Sequence, residues 1–242
     1  MSKSTIESLI VVILGGVLLH HLTGPKNTPH PVSPAPPEVR PPEKKKRLLP
    51  LRQESPGKPV EGGRVAPDGV TQIQCDLPAA CRKQNIASRG LGCCVFRSGE
   101  YAGHWQNVPS LYDLPERMVK AGIAGGGWPE KVDKVFGQLA PGVQYVQDTS
   151  GDADILRAIL ASGRIACVTY NGHDIHYGDR SIGHMVCLVH FDDKWACISD
   201  NNFTGPNQFV WMSTTELLKR WIAGGGWVYC LLPPPPPPVP HN

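Results

Sequence analysis

The chain has 242 residues, with 24 Lys+Arg against 21 Asp+Glu, 26 glycines, 25 prolines and eight cysteines. Twelve prolines fall between Pro25 and Pro67, seven between Pro233 and Pro240, and only six between Asp68 and Leu232; because proline fixes φ and donates no N–H, the two flanks are excluded from a folded core. Residues 1–67 carry a balance of +5 and residues 68–242 one of −2, so the basic charge lies outside the remaining domain and a nucleic-acid partner is not indicated.

Residues 1–24 include the apolar run from Ile6 to Leu22, interrupted by one charge, Glu7. At 1.5 Å per residue it reaches roughly 25 Å, close to a bilayer's hydrocarbon thickness. No small-x-small cleavage site follows it, and Pro25 stands directly after Gly24. The segment therefore reads as a single-pass membrane anchor or an uncleaved signal. Lys3 lies on one side of it and Lys26 and Arg40 on the other, so the side of the membrane is left open.

Residues 25–67 read as a Pro-rich basic linker able to span on the order of 100 Å if extended. Its run Lys44-Lys45-Lys46-Arg47 reads as linker solvation. Residues 68–232 form the expected domain, within which Cys75 and Cys81 bracket a loop short enough for a disulfide. No repeated C-x2-C spacing suggests zinc.

Within the domain, a glycine turn at Gly90–Gly92 precedes a helix predicted to start near Cys94. A second helix is predicted over Leu114–Gly122, with Pro115 in its first turn. A third opens at Trp128-Pro129 and places Val132, Val135, Phe136 and Leu139 at helical spacing. A fourth starts near Asp152 and stops at Gly163. The period then changes to two, predicting strands at Ile165–Tyr170, Met185–Phe191, Trp195–Ser199 and Phe209–Met212. Thr214 or Thr215 is the expected cap of a short helix through Trp221, and Trp227–Leu232 is a last strand. Helices first and a mostly antiparallel sheet afterwards is an α+β order.

One hexapeptide occurs twice, as Ile123–Trp128 and Ile222–Trp227. Each copy follows a predicted helix, so a glycine stop and a packed indole are the expected shared need, with a place in a substrate groove as the alternative. The tail, residues 233–242, opens with six consecutive prolines. It reads as a stiff terminus, or as a ligand for a polyproline-binding partner.

The chemistry-bearing residues are a cysteine, a histidine and an acid in that order. Gly92-Cys93-Cys94 delivers a thiol to a helix start, where unpaired N–H groups and the positive dipole end favour thiolate. His184 stands at the front of an apolar strand, and Asp200 ends the next strand. A hairpin between them would bring carboxylate to imidazole and hold its tautomer. Asn201, on the opposite face of the same strand end, is the alternative to Asp200. Cys93 is the rival to Cys94.

These residues resemble those of papain-like cysteine peptidases, and among them the bacterial double-glycine-leader enzymes. The matching pieces are Gly92-Cys93-Cys94-Val95 with Ser98 one turn on, then His184 with Val186 and Val189, then Ile198-Ser199-Asp200. The resemblance spans about residues 75–230. It implies a papain-like α+β fold, with the nucleophile helix packed on the sheet. It also implies hydrolysis of a peptide or protein substrate through an acyl-enzyme, with no metal or organic cofactor. One feature departs from the pattern: the oxyanion-hole Gln usually stands six residues before the nucleophile, where this chain has Ser88. Gln84, ten before Cys94, is the oxyanion-hole candidate, a longer loop bringing its amide round to join the Cys94 N–H, and Asn85 is nine before it. Transglutaminases and cell-wall amidases use the same order of residues, and an inactive peptide-binding domain would retain it. His173 and His176 read as loop or substrate-rim residues, and His104 as structural.

Overall fold

A computed structural model of the chain describes residues 59–172, 176–178, 180–205 and 208–237. The expected anchor and most of the expected linker lie outside them, as does His173. No helix among the described residues is long and apolar enough to cross a membrane.

The architecture is α+β, built on a seven-stranded sheet in the order β1-β8-β7-β6-β5-β9-β4. Every pairing in it is antiparallel. Its centre comprises β5 (Ala166–Tyr170), β6 (His184–Phe191), β7 (Trp195–Ser199) and β8 (Phe209–Ser213). Every residue of β6, β7 and β8 is buried. Strands of this kind are covered on both faces, which is why they read as continuous apolar runs rather than as an alternation.

Helix α1 (Cys94–Trp105) packs across β5, β6 and β9 (Val228–Leu231). Its residues Cys94 to Gly103 are all buried, so it is a core helix rather than an amphipathic surface one. Gly99 permits the close approach, since a Cβ there would come within 2.7 Å of the Tyr229 hydroxyl. The buried Arg97 is paired with Glu100 and, at 2.6 Å, with Glu116, as a charge out of water requires. Helices α2 (Leu114–Lys120) and α3 (Pro129–Leu139) follow, both with proline in the first turn. Helix α4 (Ala153–Ala161) is capped by Asp152, whose side chain accepts from the Asp154 N–H at 2.9 Å. Helix α5 (Thr214–Ala223) is capped by Ser213, accepting from the Glu216 N–H at 3.1 Å. That corrects the expected Thr214 or Thr215 by one position.

Two edge strands of the sheet and a separate hairpin lie outside the predicted strands. Strand β1 (Val60–Gly62) comes from the expected linker and pairs with β8; the sheet thus takes in residues upstream of the expected boundary at 67/68. Strand β4 (Tyr145–Asp148) forms the other edge, against β9. Ala87–Ser88 (β2) and Leu91–Gly92 (β3) make a separate hairpin. Its turn residues Arg89 and Gly90 have φ of 50° and 79°, the primed turn that suits a two-residue hairpin. Cys75 and Cys81, the pair expected to suit a disulfide, are both free thiols. Cys75 Sγ is turned to the Gly163 carbonyl at 3.5 Å.

Candidate active site

Cys94 is the first residue of α1, and Cys93 caps it. The first N–H groups of a helix have no intrahelical acceptor, so the Cys94 amide is among the donors with no partner inside α1. The hairpin holds this turn in place, with the Cys93 N–H donating to Ile86 O at 2.8 Å. Both cysteines are buried, Cys94 keeping 9% exposure and Cys93 none.

His184 begins β6 and Asp200 follows the end of β7. The β6–β7 pairing brings the two ends together across a bulge between Leu188 and His190. His184 Nε2 lies 2.8 Å from Asp200 Oδ1, and both side chains are buried. The carboxylate also accepts the Asn202 N–H at 2.8 Å on Oδ1 and the Tyr177 hydroxyl at 2.8 Å on Oδ2. With Nε2 turned to Asp200, the other ring nitrogen, Nδ1, is left free of that carboxylate, and the ring is near enough to Cys94 for each to shift the other's titration.

The electrostatics follow from these contacts. Burial alone pushes the Cys94 thiol up; its hydrogen bond to His184, the charge of that ring, and the Met185 and Val95 N–H groups outweigh burial and hold it below its ordinary value. Burial disfavours the imidazolium of His184, but Asp200 and Cys94 together raise it to about 10. Asp200 is lowered in spite of its burial, first by His184 and then by Asn202 and Tyr177. A lowered thiol beside a raised imidazole favours the thiolate–imidazolium pair, the state that makes a thiol nucleophilic. Cys93 behaves oppositely, its thiol being raised by burial.

The strand-end neighbours Asp200 and Asn201 are separated by their sides. Asn201 has no exposure, and its Nδ2 lies 3.2 Å from Cys94 O, 3.0 Å from Ser98 Oγ and 3.0 Å from Met185 O. It ties the start of α1 to β6 and does not face the imidazole. Ser98, the small polar residue one turn along α1, completes that tie by donating to Met185 O at 3.1 Å.

Gln84 and Asn85 both reach the loop after β7. The Gln84 amide nitrogen donates to Asn202 O, and its carbonyl accepts from Thr204 Oγ1 at 3.1 Å; its side chain is engaged there rather than at Cys94. Asn85 donates through Nδ2 to Asn202 Oδ1 at 2.9 Å. That nitrogen lies 3.4 Å from where a Cβ on Gly92 would stand, so Asn85 sits directly against the turn leading to the nucleophile. The expected oxyanion residue is Gln84, but of the two amides it is Asn85 that lies against the nucleophile turn, because the tight β2–β3 turn brings Ile86 opposite Cys93.

The first hexapeptide copy forms a strip beside this turn. The Gly125 N–H donates to Ser88 O at 2.8 Å and the Gly126 N–H to Gly92 O at 2.6 Å. Trp128 beyond it is 53% exposed, which corrects the expected packed indole for this copy. Trp128, Ile123, Lys131, Lys134 and Val135 line a cavity of about 450 Å³. Lys131 is close enough for its charge to act on the Cys93 thiol, so the cavity adjoins the nucleophile turn.

Of the remaining histidines, His104 stacks on Tyr112 at 4.0 Å and lies 3.6 Å from Glu100, and His176 stacks on Phe203 at 4.0 Å. Among the described residues, Glu100, Asp113 and Glu116 have metal-ligand spacing. Arg97 and Lys83 already neutralise them, so the cluster is an ion-pair network. Neither a protein-family model nor a curated protein matches the chain.

Proposed function

We propose that the chain is a thiol hydrolase of the papain-like fold that cleaves peptide or protein substrates, held at a membrane by its N-terminal segment. The observation that carries this reading is the buried His184–Asp200 contact of 2.8 Å in electrostatic reach of Cys94, a thiol at a helix start. Cys94 Sγ, as thiolate, attacks the substrate carbonyl carbon. The Cys94 N–H and the Asn85 side-chain amide, which lies against the nucleophile turn, receive the charge that develops on the carbonyl oxygen. The C–N bond then breaks and the His184 imidazolium gives its proton to the leaving amine. Water, deprotonated by His184, attacks the thioester and releases the acid and the free thiol. The cavity beside Trp128 offers the substrate an apolar wall.

The test is alkylation with a thiol-reactive peptide mimic, with each labelled site mapped by mass spectrometry. Cys81, half-buried where the other seven cysteines are buried, is the internal reference. Cys94 is expected to react on the order of 100-fold faster than Cys81 at pH 6, and His184→Ala to remove that advantage. Equal rates at the two cysteines would overturn the reading, leaving a peptide-binding domain without chemistry. Should labelling succeed, transfer of the acyl group to added amines, or release of peptides from cell-wall polymer, would mark a transglutaminase or an amidase instead.

A further inference from the structure

Behind Cys94, His184 and Asp200 lies a second layer of hydrogen bonds. Tyr177 comes from the segment between β5 and β6 and is buried. Its ring centroid stands 5.9 Å from that of His184 and meets Phe203 edge-on at 5.3 Å. Its hydroxyl donates to Asp200 Oδ2 at 2.8 Å and accepts from Asn202 Nδ2 at 3.0 Å. Asn202 in turn donates its backbone N–H to Asp200 Oδ1 and accepts from Asn85. The chain of contacts thus runs from Asn85 beside the nucleophile turn, through Asn202 and Tyr177, to the carboxylate that orients the imidazole.

The two carboxylate oxygens are served differently. Oδ1 holds the His184 ring and one backbone N–H; Oδ2 receives the phenol. A donor to a carboxylate stabilises its charge and weakens its hold on any other proton. We propose that Tyr177 is a positioning residue whose hydroxyl, aimed by Asn202, holds Asp200 and tempers its grip on the His184 proton. This rests on the thiol-hydrolase reading of the site. Too strong a grip would leave His184 a poor acid toward the leaving amine; too weak a one would let the ring turn.

Among the described residues, other titratable groups also lie near the pair. From α1, Cys94 faces His184, and Tyr101 lies within electrostatic reach of Asp200 while donating to Lys83 O at 2.7 Å. His176 is one ring removed, stacked on Phe203. Tyr177→Phe changes none of them and keeps the ring contacts with His184 and Phe203.

The experiment follows iodoacetamide alkylation of Cys94 against pH in the full chain, for wild type and Tyr177→Phe, with a thermal melt to verify folding. Loss of the donor is expected to move the alkaline step, where His184 loses its proton, upward by up to about one pH unit. Site-specific 3-fluorotyrosine at 177, a stronger donor, should move it downward. An alkaline step that stays in place or falls in Tyr177→Phe, while wild-type Cys94 remains faster than Cys81, overturns the role of Tyr177 alone. Wild-type Cys94 reacting no faster than Cys81 at every pH overturns the hydrolase reading beneath it. If Tyr177→Phe does not fold, the fluorotyrosine chain decides alone, an unmoved step counting against the proposal.

Discussion

The same six residues, Ile-Ala-Gly-Gly-Gly-Trp, are used in two opposite ways. After α2 the first copy runs along the β2–β3 hairpin, and its Trp128 stands 53% exposed. At the end of α5 the second copy turns into β9, and its Trp227 is 6% exposed, with Nε1 donating to Gln147 Oε1 at 3.1 Å. The copies differ from their first residues, Ile222 and Ala223 closing α5 while Ile123 and Ala124 lie beyond α2, and they part again one residue after the tryptophan. Pro129 sets φ for a first helical turn and leaves Trp128 as the extended N-cap of α3. Val228 instead begins an apolar strand of four buried residues, and Trp227 enters the sheet with it. Six identical residues do not specify a local structure; what each end must join does.

The largest test of that contrast is truncation of the two indoles. Trp227→Ala should cost about 3–5 kcal/mol in urea unfolding, because a buried ring and its hydrogen bond are lost. Trp128→Ala should change stability by less than about 0.5 kcal/mol, while lowering the rate of Cys94 labelling by a peptide mimic that reaches the cavity. If both variants unfold alike, the two copies are not separate devices.

Much of this was legible in the sequence, for a physical reason. Helices α1, α3 and α4 and strands β5 to β8 are long enough for their apolar period to show, and their ends moved by only a residue or so. Cys94, His184 and Asp200 stood at the ends of such elements, so placing the elements placed the residues. Asp200 and Asn201 could not be separated, because adjacent residues at a strand end are distinguished only by which side faces the partner helix. Strands β1 and β4 were missed since three or four residues carry little period and their pairing partners lie far along the chain. The two-residue strands of the β2–β3 hairpin are shorter still, yet they decide which of Gln84 and Asn85 meets the nucleophile turn. Trp128 was misjudged by analogy with its twin.

A second test exchanges a hydrogen for a methyl in the middle of each copy. A Cβ on Gly125 would collide with the Leu91 carbonyl and come within 2.8 Å of Gly92 O, and both belong to the hairpin strand that leads into Cys93. On Gly224, the first glycine of the second copy, a Cβ would lie 3.1 Å from Tyr170 N, tight but short of collision. Gly125→Ala is expected to lose about 2–3 kcal/mol of stability and to slow Cys94 alkylation in the fraction that remains folded. Gly224→Ala should lose about 1 kcal/mol or less and leave that rate unchanged. Equal rates in both variants would mean that the strip does not brace the nucleophile turn.

The smallest effect belongs to Lys131, a cation with no counterpart beside the second copy, where the corresponding position after the tryptophan is Cys230. Lys131 Nζ donates to Ala124 O at 2.9 Å and to Gly125 O, and stands 4.9 Å from the centre of the Trp128 ring. One ammonium thus pins both the glycine strip and the exposed indole, the task that strand pairing performs for Trp227. Lys131→Met keeps the apolar stem and removes only the charge and its donors. The expected loss is about 1 kcal/mol, read in urea unfolding. The strip should loosen without collapsing, because the Gly125 and Gly126 N–H groups still bind Ser88 and Gly92. Hydrogen exchange at those two amides should therefore quicken in Lys131→Met, while the Gly226 N–H, bonded to Trp221 O at 2.9 Å, keeps its wild-type rate. If all three amides quicken together, the lysine stabilises the whole domain rather than the strip, and the two copies differ less than their surroundings imply.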